Sequence, residues 1–475
     1  MFKKSAKLLA VVLAGTMMLA GCGGSSDSGA DSSAKSGSDS GAASKKGDKP
    51  TVRVLVPGLS EETTVDPVSG LETKGIGEFQ TYLNEQIPDY NIEVKTVAWD
   101  GWIQSLEAMI QAKEIDVGFF TNQEAVPDWY EDLTPYMEAD EEVNLDTMNS
   151  LFIDPAVHYS TYKSFNHPDE TGKIYGLPVA MGAFMITYDS QLFKEWGVAE
   201  PTADMTMSEL VDLAEQMTGT NPVTGATNYG AYFTSERTEW YALSYDAVKT
   251  YTSDTMDINE LDMNEYVESI KDSPEVKTFF EDMVRMTQCA NPAIATNSGG
   301  ENWLTENNDI AINFDQKEGP KKYMQYVVAD DESIINRYKT LMIPAGEAGE
   351  GFPEFYKFSV VKSATDKDAA WDVVKALTTN KDIVDYYISS YQADKISCLT
   401  DTEGMSIMDY DINRERHEYQ MEHMYETDDY WYWRTPMQTI INQIVSREYD
   451  ADQAVDAFYE GVKSWVDNIK QQSAN

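Results

Sequence analysis

The sequence predicts an α/β protein with a mostly parallel sheet and helices on both sheet faces. Three observations lead there. From Thr51 onward, segments with period-two alternation take turns with segments of helical spacing, the grammar of strand–helix–strand units. Pro and Gly mark the boundaries, as in Pro57-Gly58. The chain has 475 residues, 42% hydrophobic and 25% charged, enough for a large core. At roughly 100–200 residues per domain it should hold two or three domains.

In "TVRVLVPG", Val52, Val54 and Val56 alternate with Arg53 and Leu55, so a strand runs into a loop. "GIGEFQTYLNEQI" is a helix with Phe79, Tyr82, Leu83 and Ile87 on one face. "NIEVKTVAW" alternates again, as a second strand. "GWIQSLEAMIQAK" places Trp102, Leu106, Met109 and Ile110 at helical spacing, and "IDVGFF" is a short buried strand. "KIYGLPVAMGAFMITYDSQLFKEWG" is apolar and mostly extended to about Tyr188. Thr206 and Glu209 have the spacing of a capping box, opening a helix with Leu210, Leu213, Ala214 and Met217 inward. "NDIAINFD" is a strand. "FYKFSVVKSATDKDAAWDVVKALTT" is a strand, a turn and a helix, and helical pattern prevails from about Met405. There is no internal repeat.

Ahead of this body, Lys3, Lys4 and Lys7 precede an apolar stretch, Leu8–Ala20, too short to span a bilayer. It ends in Leu19-Ala20-Gly21-Cys22. This resembles the lipobox of bacterial lipoproteins. The resemblance implies a signal peptide over residues 1–21 and a lipidated Cys22 as the first mature residue. The alternative is an ordinary secretory signal with a chance cysteine. Residues 22–50 are rich in Gly, Ser, Ala and Asp and lack apolar side chains to offset ordering entropy, so a flexible tether is expected. No later apolar run of about 18 residues offers a second anchor.

Charge and cysteines narrow the function. Asp and Glu number 81 against 36 Lys and Arg, a formal net charge of -45. Such a polyanion repels phosphates, so nucleic acid is not an expected partner. Only Cys289 and Cys398 follow Cys22. Their wide spacing and the lack of a CxxC argue against a cysteine zinc site, leaving one disulfide or two buried thiols.

The ordered body resembles the extracellular solute-binding proteins of ABC importers, in the group that includes maltose-binding protein. The resemblance runs from about Thr51 to Ile469 and rests on the order and spacing of several segments. The first strand and loop are similar to "VRVLVPGLSEE". A helix followed by Asp-Val and an aromatic is similar to "SLEAMIQAKEIDVGFF", and the first crossing between lobes to "YGLPVAMGAFMITYDSQLFKEWG". Thr206-Met207-Ser208-Glu209-Leu210 resembles the Thr-Trp-x-Glu-Leu helix start, with Met in place of Trp, and Tyr188-Asp189 departs from the usual Tyr-Asn. "NNDIAINFDQ" and "FYKFSVVKSATDKDAAWDVV" resemble the second and returning crossings, and "DYWYWRT" an arginine after a C-terminal aromatic cluster. The resemblance implies a two-lobe, periplasmic-binding-protein-like (type II) α/β fold, with the ligand cleft between lobes joined by hinge strands. Lobe 1 would take 51–177 plus 356–399, and lobe 2 would take 178–355 plus 400–475.

Sugars offer flat faces of C–H groups edged by hydroxyls, so their sites combine aromatic rings with planar polar groups. The resemblance implies ligand-binding roles for Phe120 and Asn122 after Asp-Val, for Tyr232 beside Phe233, and for Trp431 and Trp433 with Tyr430 and Arg434. On a helix, 430 and 433 share a face and 431 does not, so at least one ring of the cluster is expected in the core. Sequence context adds Trp99 at the end of the second strand, Glu62 after the first, Trp240, Trp303 and Asp315. Gly182 stands where the maltose-binding relative carries a sugar-contacting acid, which counts against maltose itself.

No catalytic motif is present: there is no HExxH among the four His, no GxSxG, no Walker A loop and no GxGxxG. The expectation is a non-enzymatic, lipid-anchored protein on the extracellular face of the bacterial membrane. It would be a monomer with no cofactor and no metal, handing a carbohydrate, in the form of an oligosaccharide, to ABC permease transmembrane subunits. The alternatives are a peptide or other organic solute as cargo, a surface glycoside hydrolase, and an adhesin.

Overall fold

Period-two burial along Thr51–Leu55, with Val52 and Val54 inward and Arg53 at the rim, starts the first of two sheets. The computed structural model describes residues 49–65, 72–99, 101–121, 126–162, 167–182, 185–234, 238, 240–249, 261–296, 298–314, 329–347, 349, 354–391, 395–405 and 431–473. The strands are β1 (Thr51–Leu55), β2 (Thr64–Val65), β3 (Glu72–Thr73), β4 (Asn91–Lys95), β5 (Val117–Phe120), β6 (Leu177–Gly182) and β7 (Met185–Asp189). They continue as β8 (Gly219–Thr220), β9 (Thr227–Tyr232), β10 (Ile310–Asn313), β11 (Tyr338–Met342), β12 (Glu354–Val360) and β13 (Lys395–Ser397). The longer helices are α1 (Ile76–Gln86), α2 (Trp102–Ala112), α3 (Ser190–Trp196), α4 (Met207–Gln216) and α5 (Pro274–Cys289). After them come α6 (Lys367–Thr379), α7 (Lys381–Tyr391), α8 (Trp431–Val445) and α9 (Ala451–Ser473).

The first sheet has the order β13-β6-β12-β5-β1-β4 and the second β11-β7-β10-β9-β8. β4, β1 and β5 are parallel, as the alternating pattern predicts. β12 runs against both its neighbours, β5 and β6, and β13 runs against β6. The sheet is therefore mixed, because the chain leaves it along β6 and returns along β12. It stays in the first sheet to Gly182 and enters the second at Met185. It leaves the second sheet at Met342 and rejoins the first at Glu354. These strand ends fall near the expected lobe boundaries without coinciding with them. α8 and α9 pack on each other and on α5, whose neighbours include α4 and β9, so the C-terminal helices stand with the second sheet.

Helices cover both faces of the first sheet. Phe79 of α1 meets Tyr386, Tyr387 and Tyr391 of α7 on one face. Leu106 of α2 joins Leu55, Phe120 and Tyr130 on the other. In the second lobe, α4 buries Met207, Leu210, Val211, Leu213 and Ala214, one stripe at helical spacing. Its capping box is formed: the Glu209 N–H donates to Thr206 Oγ1, and the Thr206 N–H donates to Glu209 Oε2.

Each sheet is clasped at one end by a buried aspartate gripping an arginine. Arg53 Nε and Nη2 reach the two carboxylate oxygens of Asp116, both at 2.7 Å, and the Thr365 N–H donates to the same group at 3.0 Å. Burial pushes the Asp116 carboxyl up, but the Arg53 guanidinium and the N–H donors outweigh this and hold it below its ordinary value. In the second sheet Asp189 caps α3 through the N–H groups of Gln191 and Leu192. It also takes Arg337 Nη2 at 2.6 Å and Asn308 Nδ2 at 2.8 Å. The departure from Tyr-Asn at position 189 thus has a physical counterpart, since a carboxylate in a buried cap needs the cation Arg337 supplies.

Cys289 and Cys398 are both buried and free, so the thiol alternative is the one adopted. Burial pushes both thiols up, and the Cys398 thiol the further. Residues 1–48, including Cys22 and most of the expected tether, lie outside the described residues, as do 406–430. Among the described residues no helix is long and apolar enough to cross a membrane.

Candidate functional site

Strand direction decides which sheet ends border the crossings. β6 ends at the first crossing, and β1, β4 and β5 point the same way, so the loops after Leu55, Lys95 and Phe120 lie at the crossing end of the first sheet. In the second sheet β7 starts at the crossing, and β10 and β9 run against it. Their C-terminal ends, Asn313 and Tyr232, therefore also lie at the crossing end. Open α/β sheets bind ligands beyond the carboxyl ends of their strands.

At the first sheet's crossing end stands Trp99, 39% exposed. Its indole lies over Gly58 (φ 77°), where a Cβ would overlap the ring. It rests edge-on against Phe119 (5.9 Å, 71°) and Trp102 (6.0 Å, 74°), and beside Tyr356 (6.0 Å). Lys395 Nζ lies 5.3 Å from the Tyr356 ring and 3.3 Å from Glu354. Glu354, Gly182 and Lys395 are direct cross-strand partners at the ends of β12, β6 and β13. A half-exposed aromatic floor thus adjoins a carboxylate and an ammonium.

The second sheet's crossing end is built differently. Trp240 is 3% exposed and Trp433 is fully buried, and they meet edge to face at 5.6 Å and 89°. The Arg434 guanidinium lies 5.1 Å over the Trp240 ring, a cation–π stack. Tyr432 is also fully buried and donates its hydroxyl hydrogen to the Lys249 carbonyl. Tyr232, half-buried, packs its ring on Gly300.

The model of the bacterial extracellular solute-binding protein family matches residues 69–383. The chain belongs to that family. Solved structures agree in fold at low identity. MalE, a sugar-binding protein from Xanthomonas citri, superposes with a TM-score of 0.63 at 15% identity, covering 90% of this chain and 99% of its own. An ABC substrate-binding protein from Listeria monocytogenes in complex with cycloalternan gives 0.62 at 15% identity, covering 88% and 99%. Maltose-bound MalE3 of T. maritima gives 0.56 at 15% identity, covering 87% and 99%. No curated protein matches by sequence. The expected two-lobe, periplasmic-binding-protein-like α/β fold is the one this family member adopts.

Among the expected ligand residues, Trp99, Tyr232, Trp240 and Glu62 lie at the crossing ends, with Glu62 exposed on the loop after β1. Phe120 does not show its ring there. It is 4% exposed, stacked on Tyr130 at 5.0 Å and packed on Gly176. Successive strand side chains point to opposite faces, so it is Phe119 that supports Trp99. Trp303 is buried edge-on to Tyr338, which pairs with Asp189 at the end of the sheet away from the crossing. In the C-terminal cluster Trp433 is core, Arg434 is half-buried, and Trp431 lies in α8 with its side chain not described. Asn122, Asp315 and Tyr430 lie outside the described residues. Sequence reading passed over Tyr356, Glu354 and Lys395, whose one signal is the ring and charges at the start of an otherwise apolar crossing strand and its neighbour. No group of three or more His, Cys, Asp or Glu among the described residues is arranged to hold a metal.

Proposed function

We propose that this solute-binding protein is the receptor of an ABC importer, that its cargo is a carbohydrate, in the form of an oligosaccharide, and that it works by hinge closure without chemistry. The observation that carries this reading is the exposed Trp99, held on Phe119 and Tyr356 at the crossing end beside Glu354 and Lys395. An indole covers the C–H face of a sugar ring, and the flanking charges take its hydroxyls. Relatives of the same fold solved with cycloalternan and with maltose support a sugar as cargo. The strands that reach the crossings, β6 and β12, would carry the hinge. A ligand touching both lobes favours the closed state.

The Leu19-Ala20-Gly21-Cys22 segment and the polar stretch after it support a lipid anchor on Cys22 at the extracellular membrane face. In that position a monomer would hand its cargo to the transmembrane permease subunits.

Thermal unfolding of the purified protein against mono- and oligosaccharides, with peptides and amino acids as controls, tests the cargo. A ligand that binds only the folded state raises the midpoint by mass action. An upshift with one class of oligosaccharide, recovered intact, is expected. Peptide-only upshift would replace the cargo, and cleaved sugar would make the protein a glycoside hydrolase. For the anchor, Cys22→Ala should move the protein from the membrane fraction to the medium; retention in the membrane would refute it.

A further inference from the structure

At the crossing end of the first sheet, β12, β6 and β13 meet in one row, Glu354–Gly182–Lys395. The middle position has no side chain, and a Cβ there would lie 3.2 Å from Lys395 Nζ and Cδ. Lys395 thus lies across the glycine toward Glu354, with Nζ and carboxylate oxygen 3.3 Å apart. Their side chains are only 9% and 17% exposed. Tyr356, two residues along β12 from Glu354, links the pair to Trp99.

We infer that Glu354 and Lys395 are specificity-determining residues that select a neutral sugar, with adjacent hydroxyls bridging carboxylate and ammonium while its ring lies on Trp99. The inference rests on the carbohydrate reading and adds its chemical class. A hydroxyl both donates and accepts, so two neighbouring hydroxyls satisfy Glu354 and Lys395 together without separating them. A uronate would bring a second carboxylate beside Glu354, in a protein whose net charge of -45 already repels anions. An amino sugar would bring a second cation beside Lys395. Either charge must compete with a largely buried ion pair.

The test uses the purified protein and three variants, Glu354→Gln, Lys395→Gln and Trp99→Ala. The probes are neutral gluco-, manno-, xylo- and galacto-oligosaccharides, an oligogalacturonate and an oligoglucosamine, with binding followed by calorimetry. The unmodified protein should bind a neutral oligosaccharide at least tenfold tighter than either charged one. Glu354→Gln removes the negative charge beside the ammonium and should shift the ratio toward the oligogalacturonate. Lys395→Gln removes the positive charge beside the carboxylate and should shift it toward the oligoglucosamine. Trp99→Ala, at an exposed ring, should weaken all sugars more than tenfold with the thermal midpoint of the free protein unchanged. The crossed change in selectivity is the decisive readout, because a merely structural pair would weaken all sugars alike. Uniform weakening, unchanged selectivity, or a charged sugar preferred by the unmodified protein would overturn the inference and leave the carbohydrate reading intact. No binding of any sugar by the unmodified protein would overturn both.

Discussion

Both sheets bring indole rings to their crossing ends, yet they treat them in opposite ways. On the first sheet Trp99 stays 39% exposed while Phe119, Trp102 and Tyr356 pack against it and Gly58 leaves room for its ring. On the second, Trp240 and Trp433 bury each other, with Arg434 closing over Trp240. The same residue type is therefore left open to solvent in one place and packed away in the other, and the difference lies in what covers the ring. The far ends differ from both. There buried Asp116 with Arg53, and buried Asp189 with Arg337, close the sheets with charge pairs.

The largest effects should come from the buried members of this comparison. Arg337→Met strands Asp189, fully buried, without its cation. Breaking such a pair costs about 3–5 kcal/mol, to be read from denaturant unfolding. Adding Asp189→Asn, which keeps the cap and removes the charge, should recover most of the loss; no recovery would mean that Arg337 acts through packing alone. Trp433→Ala should cost about 3–5 kcal/mol as a large core truncation, whereas Trp99→Ala should stay within about 0.5 kcal/mol as a surface change. Equal costs would erase the contrast between the two ends.

A smaller effect is set by pH. Burial pushes the Asp140 carboxyl up, but Lys375 Nζ at 2.5 Å, the Val143 and Glu142 N–H groups and the Trp371 indole N–H outweigh it and hold the group at about 2, against 3.8 ordinarily. A carboxyl lowered by folding adds stability above its unfolded value, and that stability is lost as pH falls through the folded value. Asp140→Asn should therefore cost roughly 1–2 kcal/mol at neutral pH. The gap should close between pH 4 and pH 2 in unfolding curves. A gap that persists at pH 2 would place the loss in packing. The smallest change is Thr206→Ala, which removes the α4 cap. It should cost about 1 kcal/mol, seen as a shift in the denaturant midpoint with unchanged slope.

Much of the fold was legible in the sequence because local periodicity carries it. The alternation of Val52, Val54 and Val56, the stripe from Met207 to Ala214 and the Thr206–Glu209 box each lie within a few residues of chain, and each is formed. The site was less legible. Trp99 could be proposed from its place after a strand, but Phe120 and Phe119 differ only in sheet face, which depends on register. Trp303 was a candidate from its place just before a strand, and Tyr338 covers it.

By itself the sequence determined the locally patterned strands and helices, the family, the net negative charge and the candidate anchor at Cys22, since these depend on neighbouring residues and composition. Only the tertiary structure decided which rings are covered, that Asp189 finds its cation in Arg337, and that Glu354 and Lys395 meet across Gly182. The physical reason is distance along the chain. Those contacts join residues far apart in sequence, brought together by strand pairing, and no local pattern encodes what will lie on the other side of a sheet.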